Sequence, residues 1–391
     1  MAALTLAINP GSSSREYALY NGTELFMRAY FEHEGHGCVM TLERPWQKLE
    51  VRPLPLAIFE RSLAHFLEVM QTTNTATPEQ IGRIGIRVVA PSRRMLSHNW
   101  FDEDLVRELE AKQAIVPLHI EASLSERDKA SELIPHAYIV AVSDSAFHAT
   151  LSHEARNYAI DTRLADRYDI YRFGYHGLSA ASISRQLAAK LEHVPARVAI
   201  CHLGSGASVT TLQALRSIDT TMGYSPLEGL IMATRSGSID IAAALELKRR
   251  MHLSDEALID HLQKHAGLFG LSAGQTNDIR KLLELESHGN EQAAFTLSSM
   301  VYRLRQAIAA AAANLGGLDA IVFTATVGER SAAVRARVMS GLGFLGVDYD
   351  IERNDLAEAE WAVVTKENSP CTVYVIETDE TLEICLAAQS L

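Results

Sequence analysis

An α/β fold made from two copies of one unit is what this sequence predicts, and three observations predict it. Two glycine/serine-rich turns, Asn9-Pro10-Gly11-Ser12-Ser13-Ser14 and His202-Leu203-Gly204-Ser205-Gly206-Ala207-Ser208, lie almost two hundred residues apart, each between two β-like apolar runs. After each turn the chain repeats one grammar, hairpin, later helix, then strand and polar turn, which is the mark of an internal duplication. Between the halves a short apolar strand, Ile139-Val140-Ala141-Val142, ends at Ser143-Asp144-Ser145-Ala146-Phe147-His148. A polar cluster just past a strand's carboxyl end is where α/β sheets place their chemistry.

The elements follow in chain order. Leu4-Thr5-Leu6-Ala7-Ile8 and Tyr17-Ala18-Leu19-Tyr20 flank the first turn; Val198-Ala199-Ile200-Cys201 and Val209-Thr210-Thr211-Leu212 flank the second. Glycine lets backbone N–H groups approach a phosphate, and serine hydroxyls add donors. Neither turn is a P-loop or a dinucleotide fingerprint, because no Gly-Lys-Ser/Thr follows and each runs into a strand where those motifs require a helix. Taken singly, each is also an ordinary β-hairpin turn. The pair suits one anion gripped from two sides, with the ligand between the halves. A helix is expected over Leu56 to Met70, then a strand Ile84-Gly85-Ile86-Arg87-Val88-Val89 entering a turn at Pro91. In the second half a long helix from Ala293 to Leu315 ends at Gly316-Gly317, and the strand Ala320-Ile321-Val322-Phe323-Thr324 enters a turn at Gly328.

Composition narrows the function. At 391 residues the chain exceeds one comfortable core, and 47% hydrophobic residues suffice to fill two domains. A net charge of -12 argues against nucleic acid, which needs a contiguous basic surface. The Met1-Ala2-Ala3-Leu4 start lacks a basic n-region, and the run Ala307 to Ala313 is too short to span a bilayer, so a cytoplasmic protein with no membrane partner is expected. Cys38, Cys201, Cys371 and Cys385 are scattered without a C-x-x-C pair, which fits reduced thiols. Histidines such as His33 and His36 lack the other ligands of a metal site and read as solvated side chains.

Four ionic residues stand in apolar or glycine-rich surroundings and need partners: Arg87 inside its strand, Asp144 at a strand end, His176 in Phe173-Gly174-Tyr175-His176-Gly177, and Arg235 in Ala233-Thr234-Arg235-Ser236-Gly237. A buried bridge, for example Arg87 with Asp144, accounts equally well for any one pair. Together with two phosphate-like turns they favour phosphoryl transfer, which depends on positioning and charge neutralisation.

These residues resemble the acetate kinase family, the short-chain carboxylate kinases of the acetate and sugar kinase/Hsp70/actin superfamily, nearly end to end. The resemblance is carried by Asn9 to Ser14, Pro117-Leu118-His119, Ser143 to His148, Phe173 to Gly177 and His202 to Ser208. It continues through Asp219 to Gly237, Asn277 to Arg280, Phe323 to Val338 and Glu377 to Glu380. The resemblance implies two duplicated ribonuclease H-like domains with an interdomain cleft. Residues 1–148 plus 377–391 would form the first, and 149–376 the second, with the nucleotide site and a dimer surface. It implies a homodimer that moves a phosphoryl group between ATP and a small carboxylate such as acetate or propionate, giving an acyl phosphate, with Mg²⁺ as cofactor. Arg87, Asp144, His176 and Arg235 would be catalytic, and Asn9 and Glu380 would sit at the metal. Val89, Leu118, Tyr175 and Pro226 would line an acyl pocket. Phosphate and nucleotide contacts would fall to Ser12, His202, Gly204, Ser205, Gly206, Asp278, Arg280, Gly328 and Glu329. A carboxylic acid with a pKa near ~4 is already ionised at neutral pH and needs no general base, so Asp144 suits a metal or water ligand.

Four positions depart from the family pattern. Glu16 stands in place of a lysine, and Arg15 beside it should point to the opposite face of its strand, so a positive contact is expected to be lost. Ala90-Pro91-Ser92 replaces His-Gly-Gly and is followed by Arg93-Arg94, which suggests selection of a larger or more acidic carboxylate, unless the two arginines are solvated loop charges. Ser205 replaces asparagine, and Thr326 puts a branched Cβ where a glycine gives room to the nucleoside. Pyrophosphate as donor, a regulatory paralogue that binds nucleotide without turnover, and an Hsp70- or actin-like ATPase are the competing readings.

Overall fold

The computed structural model describes residues 3–391 except 12, 13, 36, 358 and 359 and the side chains of residues 34 and 118. Ser12, His36 and the Leu118 side chain therefore lie outside the described residues. The chain divides into two units, Met1–Ala146 with Asp379–Leu391, and Phe147–Thr378. These divisions fall two residues inside the expected 148 and 377. The His148 ring bonds to Ser217 Oγ (2.8 Å) and the Tyr175 carbonyl (3.0 Å), both in the second unit. Asp379 caps a helix of the first, its Oδ1 accepting from the Leu382 N–H at 3.1 Å.

The first unit carries β1 (Leu4–Pro10), β2 (Ser14–Asn21), β3 (Glu24–Glu34), β4 (Gly37–Glu43), β5 (Glu50–Pro55), β6 (Ile81–Val88), β7 (Asn99–Trp100) and β8 (Tyr138–Ser143). They form one sheet in the order β5-β4-β3-β2-β1-β6-β8-β7. β1 to β5 pair as antiparallel neighbours, β6 and β8 run parallel to β1, and β7 is antiparallel to β8. Side chains alternate along each strand, so Ile84, Ile86 and Val88 join Leu6, Ile8, Tyr17 and Phe31 in a core closed by Phe66, Leu105 and Ile120 of the covering helices. The other face of β6 receives the helix Glu380–Gln389. Gly85 permits that approach: a Cβ there would lie 2.8 Å from Ile384 Cγ2 and 2.9 Å from the Ile384 carbonyl oxygen. Arg83 on the same face donates to the carbonyls of Ala388 (3.1 Å) and Gln389 (2.7 Å), satisfying the end of that helix.

The second unit carries β9 (Arg197–Leu203), β10 (Ala207–Gln213), β11 (Arg216–Thr220), β12 (Ala320–Thr324), β13 (Trp361–Val363) and β14 (Thr372–Ile376), in the order β11-β10-β9-β12-β14-β13. Order and direction match β3-β2-β1-β6-β8-β7 strand for strand, the parallel triplet β9, β12, β14 standing for β1, β6, β8. The repeated grammar of the sequence is thus a repeated sheet.

Two local expectations are corrected. The helix over 56–70 is two helices, Leu56–Glu60 and Ser62–Thr72, broken at Arg61. At the break Arg15 Nη1 takes the Phe59 carbonyl (2.6 Å), and the buried Ser62 hydroxyl meets Tyr17 OH (2.8 Å). Gly328 does not mark a turn, because β12 passes straight into the helix Ala325–Arg330, entered through Ala325 at a positive φ of 62°. The long helix runs over Glu291–Leu315 and ends at Gly316 in the left-handed conformation, φ 69°. Among the described residues no helix is long and apolar enough to cross a membrane.

Candidate active site

Strand register builds the first half of the site. Asn9 lies opposite Glu16 in the β1–β2 pair, and Ile8 pairs with Ile86 across β1–β6, so Asn9 and Arg87 stand side by side on one face. Asp144 follows β8 directly, its N–H donating to the Val88 carbonyl at 3.0 Å. Arg87 gathers the row: Nη2 donates to Asp144 Oδ2 at 2.9 Å and Nη1 to Asn9 Oδ1 at 3.1 Å, with Glu380 Oε2 3.4 Å away. Asn9 Nδ2 donates to Glu380 Oε2 at 3.1 Å. Glu380 opens its helix, where the backbone dipole favours an anion.

The electrostatics follow from burial. Asp144 is fully buried, and the desolvation of Arg87 is outweighed by Asp144 and Glu380, which hold the guanidinium above its ordinary value. Burial pushes the Glu380 carboxyl up, opposed by Arg87 and aided by Asp144. Burial also lifts Glu16 to about 7, with Arg28 pulling it down and Glu380 and Asp379 adding to the rise. The bridge between Arg87 and Asp144 therefore exists, as one arm of a four-residue cluster. Its anchor is the Ser123 hydroxyl, which donates to the Arg87 carbonyl at 2.9 Å from the helix Pro117–Leu133. Val89, next in the chain after β6, is buried.

The second unit builds its own cluster. In the β9–β10 turn the Gly204 N–H donates to the Gly206 carbonyl (2.8 Å), as Gly11 does to Ser14 (2.7 Å) in the β1–β2 turn. His176 precedes the helix Gly177–Lys190 with φ 58°, which lays its ring on that of His202 at 4.0 Å and 27°. Their Nδ1 atoms are fixed by Ser208 Oγ (3.0 Å) and Ser179 Oγ (2.9 Å). The Ala233 N–H donates to the Ser205 carbonyl (3.1 Å), tying the turn to the segment with Arg235, whose Nη1 donates to the Pro226 carbonyl (3.2 Å). A Cβ on Gly206 would stand 3.1 Å from His176 Nε2 and 3.7 Å from Arg235 Nη1. Glycine thus leaves open the spot on which both side chains converge. Tyr175 is buried, its hydroxyl donating to the Tyr224 carbonyl at 2.7 Å.

The remaining candidates are engaged elsewhere. Glu329 Oε1 accepts from the Ala325 N–H (2.7 Å) and Thr324 Oγ1 (3.3 Å), so it fastens the start of its own short helix, Gly328 included. Asp278 caps the helix Ile279–Ser287 through the Arg280 N–H (2.8 Å) and pairs with the Arg280 guanidinium (2.6 Å). Among the described residues no three His, Cys, Asp or Glu side chains form a metal cage. Mg²⁺ does not ask for one, since it binds through one or two carboxylates, waters and substrate phosphates. The oxygen donors of Asn9, Asp144 and Glu380 fit that chemistry.

The model of the acetokinase family matches residues 4–386. The chain belongs to the acetokinase family. It is therefore a kinase that phosphorylates a carboxyl group with ATP as co-substrate, on the acetate and sugar kinase/Hsp70/actin fold. It is 38% identical over 397 aligned positions to the acetate kinase of Clavibacter michiganensis, covering 99% of this chain and 98% of that protein. To the acetate kinase of Streptomyces avermitilis it is 36% identical, covering 99% and 96%. A propionate kinase structure from Francisella tularensis superposes with a TM-score of 0.89 at 30% identity over 100% of both chains. The acetate kinase of Porphyromonas gingivalis gives 0.84 at 27%, covering 100% and 99%.

Within this acetokinase-family chain two of the departures are explained. Arg15 does point away from Glu16, into a buried network with Phe59 and Glu126. Arg94 is paired within its own segment: its guanidinium forks onto both Asp102 oxygens at 3.0 and 2.9 Å, and Ser92 Oγ accepts from its N–H at 3.0 Å. The Pro91 segment is a folded cap. One residue expected only as a lost positive contact and one the sequence did not single out also stand here. Glu16 joins the site row as a carboxylate, and Arg28 on β3 stands 3.5 Å from it. A strand register alone reveals them.

Proposed function

We propose that this carboxylate kinase transfers the terminal phosphoryl group of ATP to a short-chain carboxylate such as acetate or propionate, giving an acyl phosphate and ADP. The observation that carries the reading is the Arg87 guanidinium, held by Asn9, Asp144 and Glu380 at the carboxyl end of β6. A cation fixed in advance stabilises charge on a moving phosphoryl group without reorganising when it moves. Arg235 and His176 serve the same end, and the amides around Gly204 and Gly206 receive phosphate oxygens. The substrate carboxylate is ionised at neutral pH and attacks phosphorus directly. Mg²⁺, when bound through Asn9, Asp144 and Glu380, supplies further neutralisation of the phosphates. Acyl-chain contacts are assigned to Val89, Leu118, Tyr175 and Pro226, and nucleotide contacts to the segments around Asp278 and Gly328. Met1–Ala146 with Asp379–Leu391, and Phe147–Thr378, are assigned as the two kinase-like domains, the second with the dimer surface of a cytoplasmic homodimer.

Trapping acyl phosphate as the hydroxamate, over a panel of acids with ATP and with pyrophosphate at matched Mg²⁺, tests the reading. Product with acetate or propionate and ATP is expected; nucleotide binding without any product overturns it. Arg235→Ala should lower kcat by about 10²–10³ while leaving the fold intact. Arg87→Ala should also lose stability, by about 3 kcal/mol, because it leaves Asp144 and Glu380 uncompensated.

A further inference from the structure

Glu380 reaches the site from a helix, so something must hold the first turn of that helix. Arg28 projects from β3, where its strand partner is Ala18 and the partner of Ala18 on β1 is Ala7. Two small side chains in this row leave space for the long one. The guanidinium spans the residues on both sides of Glu380: Nη2 donates to Asp379 Oδ1 (2.8 Å) and Thr381 Oγ1 (3.0 Å), and also to Tyr20 OH (3.2 Å). Thr381 Oγ1 and Asp379 Oδ1 are themselves 3.0 Å apart, and the Tyr20 hydroxyl is 2.9 Å from Thr381 Oγ1. Glu43 Oε2 lies 3.3 Å from Nη1 and Glu16 Oε1 3.5 Å from Nε, so one cation faces three carboxylates.

We propose that Arg28 is a positioning residue for phosphoryl transfer, clamping Asp379 and Thr381 so that the carboxylate between them meets Asn9 and Arg87. This rests on the function proposed above only for its kinetic readout. With Arg83 bound at the far end, the helix Glu380–Gln389 is pinned by an arginine at each terminus. Arg28 acts through Glu380 and touches no reacting atom.

Arg28→Gln should lower kcat at least twentyfold with KM for ATP and for the acid changed less than threefold, and Arg28→Lys should recover at least fivefold of the loss. Amide exchange should accelerate at residues 380–383 and stay unchanged in β1 and β6. Should Arg28→Gln fail to fold, Thr381→Val leaves Arg28 in place and should still slow kcat severalfold. Glu16→Gln combined with Arg28→Gln should remain slow, because the clamp is still missing. Recovery of activity in that double variant would assign Arg28 to neutralising Glu16 and overturn the proposal, as would an Arg28→Gln or Thr381→Val enzyme with kcat within twofold of the parent. If the parent forms no acyl phosphate, the function reading fails, while the exchange measurement still decides whether Arg28 holds the turn.

Discussion

Glu329 keeps its carboxylate inside the second unit, 7% exposed, where burial raises its pKa and the charge of Glu377 adds to the rise. A carboxyl group raised in the fold contributes stability that is complete below its unfolded value, about 4.3, and is lost as pH climbs through the raised one. Glu329→Gln keeps an oxygen for the Ala325 N–H and removes the ionisation. The ligand-free variant should therefore match the parent near pH 4.5 and exceed it by about 1 kcal/mol at pH 8, as read by urea denaturation at the two pH values. Arg94→Ala should leave the ranking of acids in a turnover panel unchanged and alter stability by less than about 1 kcal/mol, since its pair with Asp102 is half-exposed. Residue types flagged Arg87, Asp144, His176 and Arg235 because each is an ionic group in apolar or glycine-rich company. Arg28 was not legible as a structural fastener, because nothing local distinguishes it from a solvated charge until Asp379 and Thr381 stand beside it; Glu329 was read as a nucleotide contact, although its Ala325 partner lies only four residues back.

Gly85 shows how an element carries the chemistry. The helix Glu380–Gln389 can rest on β6 only because position 85 has no side chain, and its first residue thereby comes to Arg87. Gly85→Ala should destabilise the protein by about 2 kcal/mol and lower kcat along with it, since the helix must lift or tilt to admit the methyl group. A chemical melt paired with the hydroxamate assay measures both. Strands and hairpins were readable from period-two alternation and small-residue turns, as was the glycine stop of the long helix, whose start at Glu291 and cap at Asn290 were not. The break at Arg61 and the helix after β12 were not, because a long-range hydrogen bond from Arg15 decides the first and the Glu329 side chain, accepting from the Ala325 N–H, fastens the second.

The whole molecule repeats a six-strand order in two sheets, and the duplication was visible in the sequence as two turns and two helix-strand sequels. Strand order itself was not, since pairing partners lie far apart along the chain. One consequence concerns the final thirteen residues, Asp379–Leu391, which belong to the first unit although all of Phe147–Thr378 precedes them. A chain cut after Thr378 should leave β1 and β6 without their covering helix. Circular dichroism and limited proteolysis should then find residues 1–146 labile while 147–378 stay protected. During translation at about 5–20 residues per second, the 232 residues from 147 to 378 delay that helix by roughly 10–50 s. A ribosome-bound chain thus waits with its first sheet half bare, and the carboxylate of Glu380 can meet Asn9 and Arg87 only once the whole second unit has emerged.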